Sequence, residues 1–211
     1  MNKNHIAKII GALVGIFLVG LGVAFNAATL LGNDPIGIVY DGVRSFASLS
    51  NRQLGMASNI VNFGLIMLLL CIGRRYINIG TFIYVLPYGF FVGVGTKLYV
   101  MLRLSENLWY RYFAAVSGCL MLYVGVALYI AMDIGLDPFT GLVMVIADKV
   151  QWDYKRTKVA FDVTMVIIGV LLGGRLGIIT IATAITAGPM IQWLAGKIGK
   201  IINPTEGEAK E

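Results

Sequence analysis

Long apolar runs separated by short polar breaks dominate this chain. Residues Ile9 to Asn33 and Leu54 to Gly73 carry no charge at all. A run of about 18 or more apolar residues is typical of a transmembrane helix. The runs are continuous and lack the alternation of strands, so they predict helices. Eight helical segments are predicted, at about residues 6–31, 36–49, 54–72, 77–101, 112–134, 139–150, 159–174 and 178–198.

Composition places these helices in a lipid bilayer. The chain of 211 residues is 58% hydrophobic and 13% charged, whereas soluble domains carry about 25% charged residues. The first apolar run is longer than the apolar region of a cleaved signal peptide, so we interpret it as a retained span. The predicted fold class is an all-α, polytopic membrane helix bundle.

The chain contains an internal duplication. Seven residues recur at a constant offset of 103; the first copies are Gly22, Val23, Ala24, Ala28, Gly32, Asp34 and Pro35, and the second copies end with Gly135, Asp137 and Pro138. Such self-similarity indicates a repeated structural unit. We predict two tandem four-helix repeats, at residues 1–102 and 103–202, followed by a disordered cytoplasmic tail at 203–211.

The repeated turns are the strongest candidates for function. Proline suits the first position of a helix, and an aspartate before it can accept N–H bonds from the first turn. Gly32 and Gly135 are predicted to end the preceding helices. One interpretation is a capped turn alone. The other places Asp34 and Asp137 in a water-accessible vestibule, where broken helices point at a substrate.

Segments 36–49 and 139–150 are too short to cross a bilayer squarely. If they cross nevertheless, with the N-terminus cytoplasmic, 14 Lys and Arg lie inside and 3 outside. If they are re-entrant, the division is 11 to 6. The excess of basic residues on the cytoplasmic side favours eight crossings and two parallel repeats. The alternative is a pair of inverted repeats, each with three spans and a hairpin.

Further polar residues lie within the apolar runs. Asp162 and Asn59 share the 103 offset, Asn62 follows Asn59 by three residues, and Asp133 and Asn26 lie near the ends of spans. Ionisable residues in spans are functional candidates by default. A structural alternative pairs Asp162 with Lys158, bonds the asparagines across helices, and pairs Asp41 with Arg44.

Several function classes are disfavoured. The net charge of +6 comes from single basic residues in short connections, so nucleic acid is not a predicted partner. The two cysteines lie in apolar runs and are predicted to be buried free thiols. The single histidine and the absence of phosphate-loop or nucleophile motifs argue against a metal site, a cofactor and an enzyme. An aspartyl protease lacks support because no paired catalytic motif is present.

The two Gly-x-Asp-Pro turns, the polar hairpin at 49–54, and Gly80-Thr81 with Ile179-Thr180 carry a family resemblance. In these features the chain resembles the YczE/YyaS/YitT group of bacterial integral membrane proteins, over residues 9–198. The halves differ in one element, since Gly188-Pro189 corresponds to Gly89-Phe90. The resemblance implies a multi-pass protein of the bacterial cytoplasmic membrane and supplies no substrate.

The expected function is that of a secondary transporter or permease for a small solute. Proton or cation coupling would pass through Asp34, Asp137 or Asp162. The alternative is a non-transporting regulator, assembly factor or partner subunit. Both termini are predicted to be cytoplasmic, the lipid bilayer is the expected surrounding partner, and self-association of the chain is left open.

Overall fold

The computed structural model describes residues 3–104 and 107–202, and within them every regular element is a helix. The eight α-helices are α1 (Lys3–Thr29), α2 (Gly37–Phe46), α3 (Leu54–Ile72), α4 (Ile79–Met101), α5 (Leu108–Met132), α6 (Pro138–Val150), α7 (Tyr154–Leu171) and α8 (Ile178–Ile202). They match the eight predicted segments to within a few residues at each end. The predicted tail, 203–211, lies outside the described residues.

Five of these helices are long and apolar enough to cross a membrane, namely α1, α3 with the turn before it, α4, α5 and α8. The chain is therefore a multi-pass membrane protein. The 18-residue helix α7 is not among the five. Its first nine residues include four charges, Lys155, Arg156, Lys158 and Asp162.

Helices α1 and α5 form the centre of the bundle and run antiparallel. The Arg111 side chain, near the start of α5, donates to the Thr29 carbonyl at the end of α1 over 2.9 Å. Toward the other end, Gly15 packs directly against Tyr129. We call the end where α1 begins end A, and the end where α1 finishes end B.

Helix α4 runs parallel to α1. Phe17 meets Phe91 with ring centroids 5.2 Å apart, and Phe25 meets Tyr99 at 5.6 Å. Helix α3 is antiparallel to α4, because Asn59 near its start contacts Gly89 in the middle of α4. It follows that α3 starts toward end B, on the side where α1 finishes.

The prediction of eight crossings is wrong on this geometry. Eight successive crossings would make α1 and α4 antiparallel, whereas they are parallel. Helix α2 enters the bundle from end B and leaves at the same end. Its last turn lies near the end of α7, where Ser45 faces Gly173.

Helix α6 likewise enters the bundle from end A and leaves it at end A. The carbonyl of Leu136, just before α6, accepts from Thr81 at the start of α4 over 2.7 Å. The last turn of α6 reaches the end of α3, where Arg75 pairs with Asp148.

The prediction of parallel halves is therefore also wrong, since α1 and α5, the first helices of the two halves, run in opposite directions. The count of basic residues gave the wrong topology because it takes no account of helix length. Helices α2 and α6 have 10 and 13 residues and are too short to cross a bilayer.

The ends of α1 and α5 differ in detail from the prediction. The helices finish at Thr29 and Met132, and the following Leu30 and Asp133 adopt the left-handed conformation, with φ of 61° and 49°. Gly32 and Gly135 come later and have φ of 103° and 141°. The glycines therefore turn the chain back into the bundle, since other residues rarely adopt such values.

A labelling experiment checks the path of α2 and α6. Ser48 follows α2 and Gln151 follows α6, and both are exposed. In a variant with both native cysteines replaced by serine, Ser48→Cys and Gln151→Cys are expected to react with an impermeant maleimide from opposite faces of the membrane. Eight crossings would put both on the same face, so labelling of both from one face would refute the hairpin geometry.

Candidate functional site

The first Asp-Pro turn lies inside the bundle. The Asn33 side-chain amide donates to the Val23 carbonyl over 3.1 Å, and Val23 is six residues before the end of α1. The Asn33 backbone N–H donates to the Thr180 hydroxyl of α8 over 3.2 Å. Asn33 and Asp34 are 2% and 8% exposed. The turn is therefore held well below end B, between α1 and α8.

Asp34 is incompletely satisfied there. Its Oδ2 accepts from the Ile36 N–H over 3.2 Å, while Oδ1 faces Gly37 without a hydrogen bond of normal geometry. Asp34 lies in the connection between α1 and α2, outside the spanning helices. Burial raises the pKa of its carboxyl from 3.8 to about 6, against the opposing effect of nearby backbone N–H groups. Asp34 can thus exchange a proton near neutral pH.

Asp137 has the same motif but a different environment. One oxygen accepts from the N–H groups of Phe139 and Thr140, both over 3.0 Å. The other accepts from the Thr140 hydroxyl over 2.5 Å. Three donors are typical of a complete N-terminal cap. The predicted cap is confirmed for Asp137, and its carboxylate has little capacity left for a ligand.

Aromatic rings fill the space between the two half-helices. Tyr40 of α2 meets Phe139 of α6 with centroids 5.9 Å apart and Tyr88 of α4 at 5.6 Å. Tyr84 contacts both Tyr88 and Tyr129 at 5.2 Å. The sequence did not identify these tyrosines, because an aromatic residue in an apolar run can face either the lipid or the interior of the bundle. Their burial follows from tertiary packing, in which α2 lies against α3 and α7 and its Tyr40 ring reaches Tyr88 of α4.

Asn62 of α3 joins this cluster. The Tyr40 hydroxyl donates to Asn62 Oδ1 over 3.3 Å. Asn62 is completely buried, and its Nδ2 has no hydrogen-bond partner in the part of the chain that the structure describes. A buried polar group without a partner costs free energy, of the order of 1–3 kcal/mol. Asn62 Nδ2 and Asp34 Oδ1 are therefore a spare donor and a spare acceptor beside the same half-helix.

Asp162 is paired with Lys158, as the structural alternative predicts. Both charges nevertheless lie close enough to act on the Asp34 carboxyl, Lys158 favouring its ionised form and Asp162 opposing it. The pair is partly exposed, with 33% and 23% of the two side chains accessible. We call Asp34, Tyr40, Asn62, Lys158 and Asp162 the half-helix site.

The other candidates lie elsewhere. Asn59 Oδ1 accepts from the Gly89 N–H over 3.1 Å and joins α3 to α4. Asn26 contacts the Cys119 thiol at 3.7 Å, between α1 and α5. Asp133 is exposed after α5. Asp41 pairs with Arg44 at 2.8 Å, as the sequence suggests. These contacts assign structural roles to the asparagines and to Asp41.

The arrangement supplies hydrogen-bonding and proton-accepting groups rather than metal ligands. Within residues 3–104 and 107–202 no three His, Cys, Asp or Glu side chains are grouped to hold a metal ion. Both cysteines are free, but Cys71 is exposed and Cys119 is only partly buried, so the expectation of two buried thiols is wrong for Cys71 and met only in part by Cys119. Helix α3 turns that residue toward the bundle surface.

The chain belongs to DUF6198, a family of unknown function, whose family model matches residues 6–196. It is also similar to an uncharacterized protein of Haemophilus influenzae, with 23% identity over 189 residues, which are 90% of this chain and 84% of the relative. No solved structure matches. The resemblance to the YczE/YyaS/YitT group is not among these findings and stays a prediction.

Proposed function

We propose that this member of a family of unknown function is a secondary transporter or permease for a small polar solute, with proton coupling through Asp34. The observation that carries the proposal is the half-helix site. Among the described residues, a buried carboxyl oxygen and a buried amide nitrogen beside this half-helix have no hydrogen bond of normal geometry. Unsatisfied groups of this kind are expected where a ligand supplies the missing bonds.

The backbone geometry supports the same function. Helices α2 and α6 begin inside the bundle, enter it from opposite ends, and meet through Tyr40 and Phe139. Transporters commonly place discontinuous helices with their starts at a central substrate site. The partial positive charge of each start favours a polar or charged group nearby.

The two halves also correspond as inverted repeats. Helix α2 of the first half packs on α7 of the second, and α6 of the second packs on α3 of the first. Helix α1 packs on α4, and α5 on α8. The largest departure from this correspondence is that α3 and α4 pack closely, whereas α7 and α8 share no extended interface in the described part of the chain. Inverted repeats in unequal states are the basis of alternating access in many transporters.

The alternative function is a non-transporting membrane regulator, assembly factor or partner subunit. Its specific support is that Asp137, Asp41 and Asp162 are engaged in a cap or in ion pairs. The aromatic packing around Tyr40 also leaves the interior largely filled. On this alternative Asp34 would be an imperfect cap without exchange of protons or solute.

Reconstitution distinguishes the two functions. Purified protein in liposomes that contain a pH-sensitive dye is exposed to small amines, amino acids and organic anions under an imposed pH gradient. A transporter is expected to give solute-dependent proton movement with at least one of these classes, above protein-free liposomes. No response to any class in correctly folded protein would favour the alternative and refute proton-coupled transport of these solutes.

A further inference from the structure

A second site lies at end A, remote from the half-helix site. The turn after α3 and the last two turns of α6 enclose a surface cavity of about 370 Å³, within the range of ligand pockets. Its wall includes Ile72, Arg74, Arg75, Val145 and Lys149. Gly73 also lines it and packs directly against the Val145 side chain.

Positive charge in this cavity is only partly compensated. Arg75 pairs with Asp148, the one acidic residue of the lining, and stacks on Tyr76 with its guanidinium 4.9 Å from the ring centroid. Arg74 and Lys149 have no ion pair among the described residues. The cavity thus holds two uncompensated cations, Arg74 and Lys149. Arg74 and Arg75 both lie in the turn that follows α3.

An apolar surface continues from the cavity along α3. Met67 is 70% exposed, and Leu68, Leu70 and Ile72 are exposed as well. A free anion would contact the two cations but not this apolar surface. An amphiphile with an anionic head group would contact both, the head group at the cations and the acyl chains against α3. Basic pockets beside transmembrane helices bind lipid head groups on this principle.

We propose that this cavity binds the phosphodiester head group of an anionic phospholipid, with Arg74 and Lys149 as the principal contacts. Arg75 keeps its bond to Asp148 and closes one side of the pocket. End A also carries Lys8, Lys197 and Lys200 on α1 and α8. The bias of basic residues toward the cytoplasmic side matches end A with that leaflet. The lipid site does not depend on the proposed transport function.

The test compares lipids on the intact protein in mild detergent. Dioleoylphosphatidylglycerol is expected to raise the unfolding temperature by roughly 5 °C or more over dioleoylphosphatidylcholine, as tight single-site binding would. Native mass spectrometry should retain one bound phosphatidylglycerol. Both effects should be lost in the double variant Arg74→Gln with Lys149→Gln. The matched control is Arg52→Gln with Lys97→Gln, which removes an exposed arginine and lysine at end B and should respond like the wild type.

Three kinds of result, concerning the lipids, the variants and a soluble anion, would overturn the proposal. The first is an equal response to both phospholipids in the wild-type protein. The second is a full phosphatidylglycerol response in the Arg74 and Lys149 variant, or an equal loss in the end B control. The third is an unfolding temperature raised as much by sodium phosphate as by phosphatidylglycerol, which would assign the cavity to a soluble anion.

Discussion

Replacing Asp34 by asparagine is expected to abolish solute-coupled proton movement and to leave the fold intact. Asparagine has the same shape and is an equally good start for a helix, so it preserves the bond from Ile36. It cannot take up or release a proton. The measurement is dye-reported proton flux in liposomes, with the solute class that is active on the wild-type protein. We expect a decrease of at least tenfold, as for other essential proton-transfer groups.

The same variant has an expected effect on stability that needs no substrate. Because burial raises the pKa of Asp34 from 3.8 to about 6, the folded protein binds this proton more tightly than the unfolded chain. The resulting stability is complete below pH 3.8 and is lost as the pH rises through 6. The wild-type protein should therefore lose about 2 kcal/mol relative to Asp34→Asn between pH 4 and pH 7. Unfolding in detergent at a series of pH values measures this difference.

The matched control is Asp137→Asn. The Asp137 carboxyl is satisfied by Phe139 and Thr140, so its replacement should leave proton coupling unchanged and change stability by less than about 1 kcal/mol, because asparagine caps a helix about as well as aspartate does. The motifs alone predict equal roles for the two aspartates. Coupling that survives in Asp34→Asn and disappears in Asp137→Asn would reverse the assignment.

Replacing Gly89 by alanine is expected to destabilise the protein by about 1–3 kcal/mol, the usual cost of overpacking. A methyl group at Gly89 would overlap the Asn59 side chain and the Gly55 carbonyl, which hold α3 against α4. It would also weaken the bond from the Gly89 N–H to Asn59. Thermal unfolding in detergent measures the effect.

Gly188 supplies the control at the matching place on α8. A methyl group there would have no atom of the described structure within 4 Å. Since alanine is the better helix former by about 1 kcal/mol, Gly188→Ala should be neutral or stabilising. Equal destabilisation by both substitutions would mean that α7 and α8 are as closely packed as α3 and α4. The proposed asymmetry of the repeats would then be wrong.

Local patterns predicted the helices well because the physical signal is local. The range of α3 is predicted to the residue, and α6 begins within one residue of its predicted start. Apolar runs, Asp-Pro starts and charged ends each act within one or two helical turns. The left-handed residues Leu30 and Asp133 carry no such signal, so the ends of α1 and α5 were placed two residues late.

The sequence by itself determined an all-helical membrane protein with two Asp-Pro turns, because hydrophobicity and proline geometry act on each segment separately. Only the tertiary structure decided that α2 and α6 re-enter, since this depends on α4 packing parallel to α1. It also decided which aspartate is left unsatisfied. Asp137 gains three donors from its own first turn, whereas the second oxygen of Asp34 is buried by the folded bundle without a comparable set of donors.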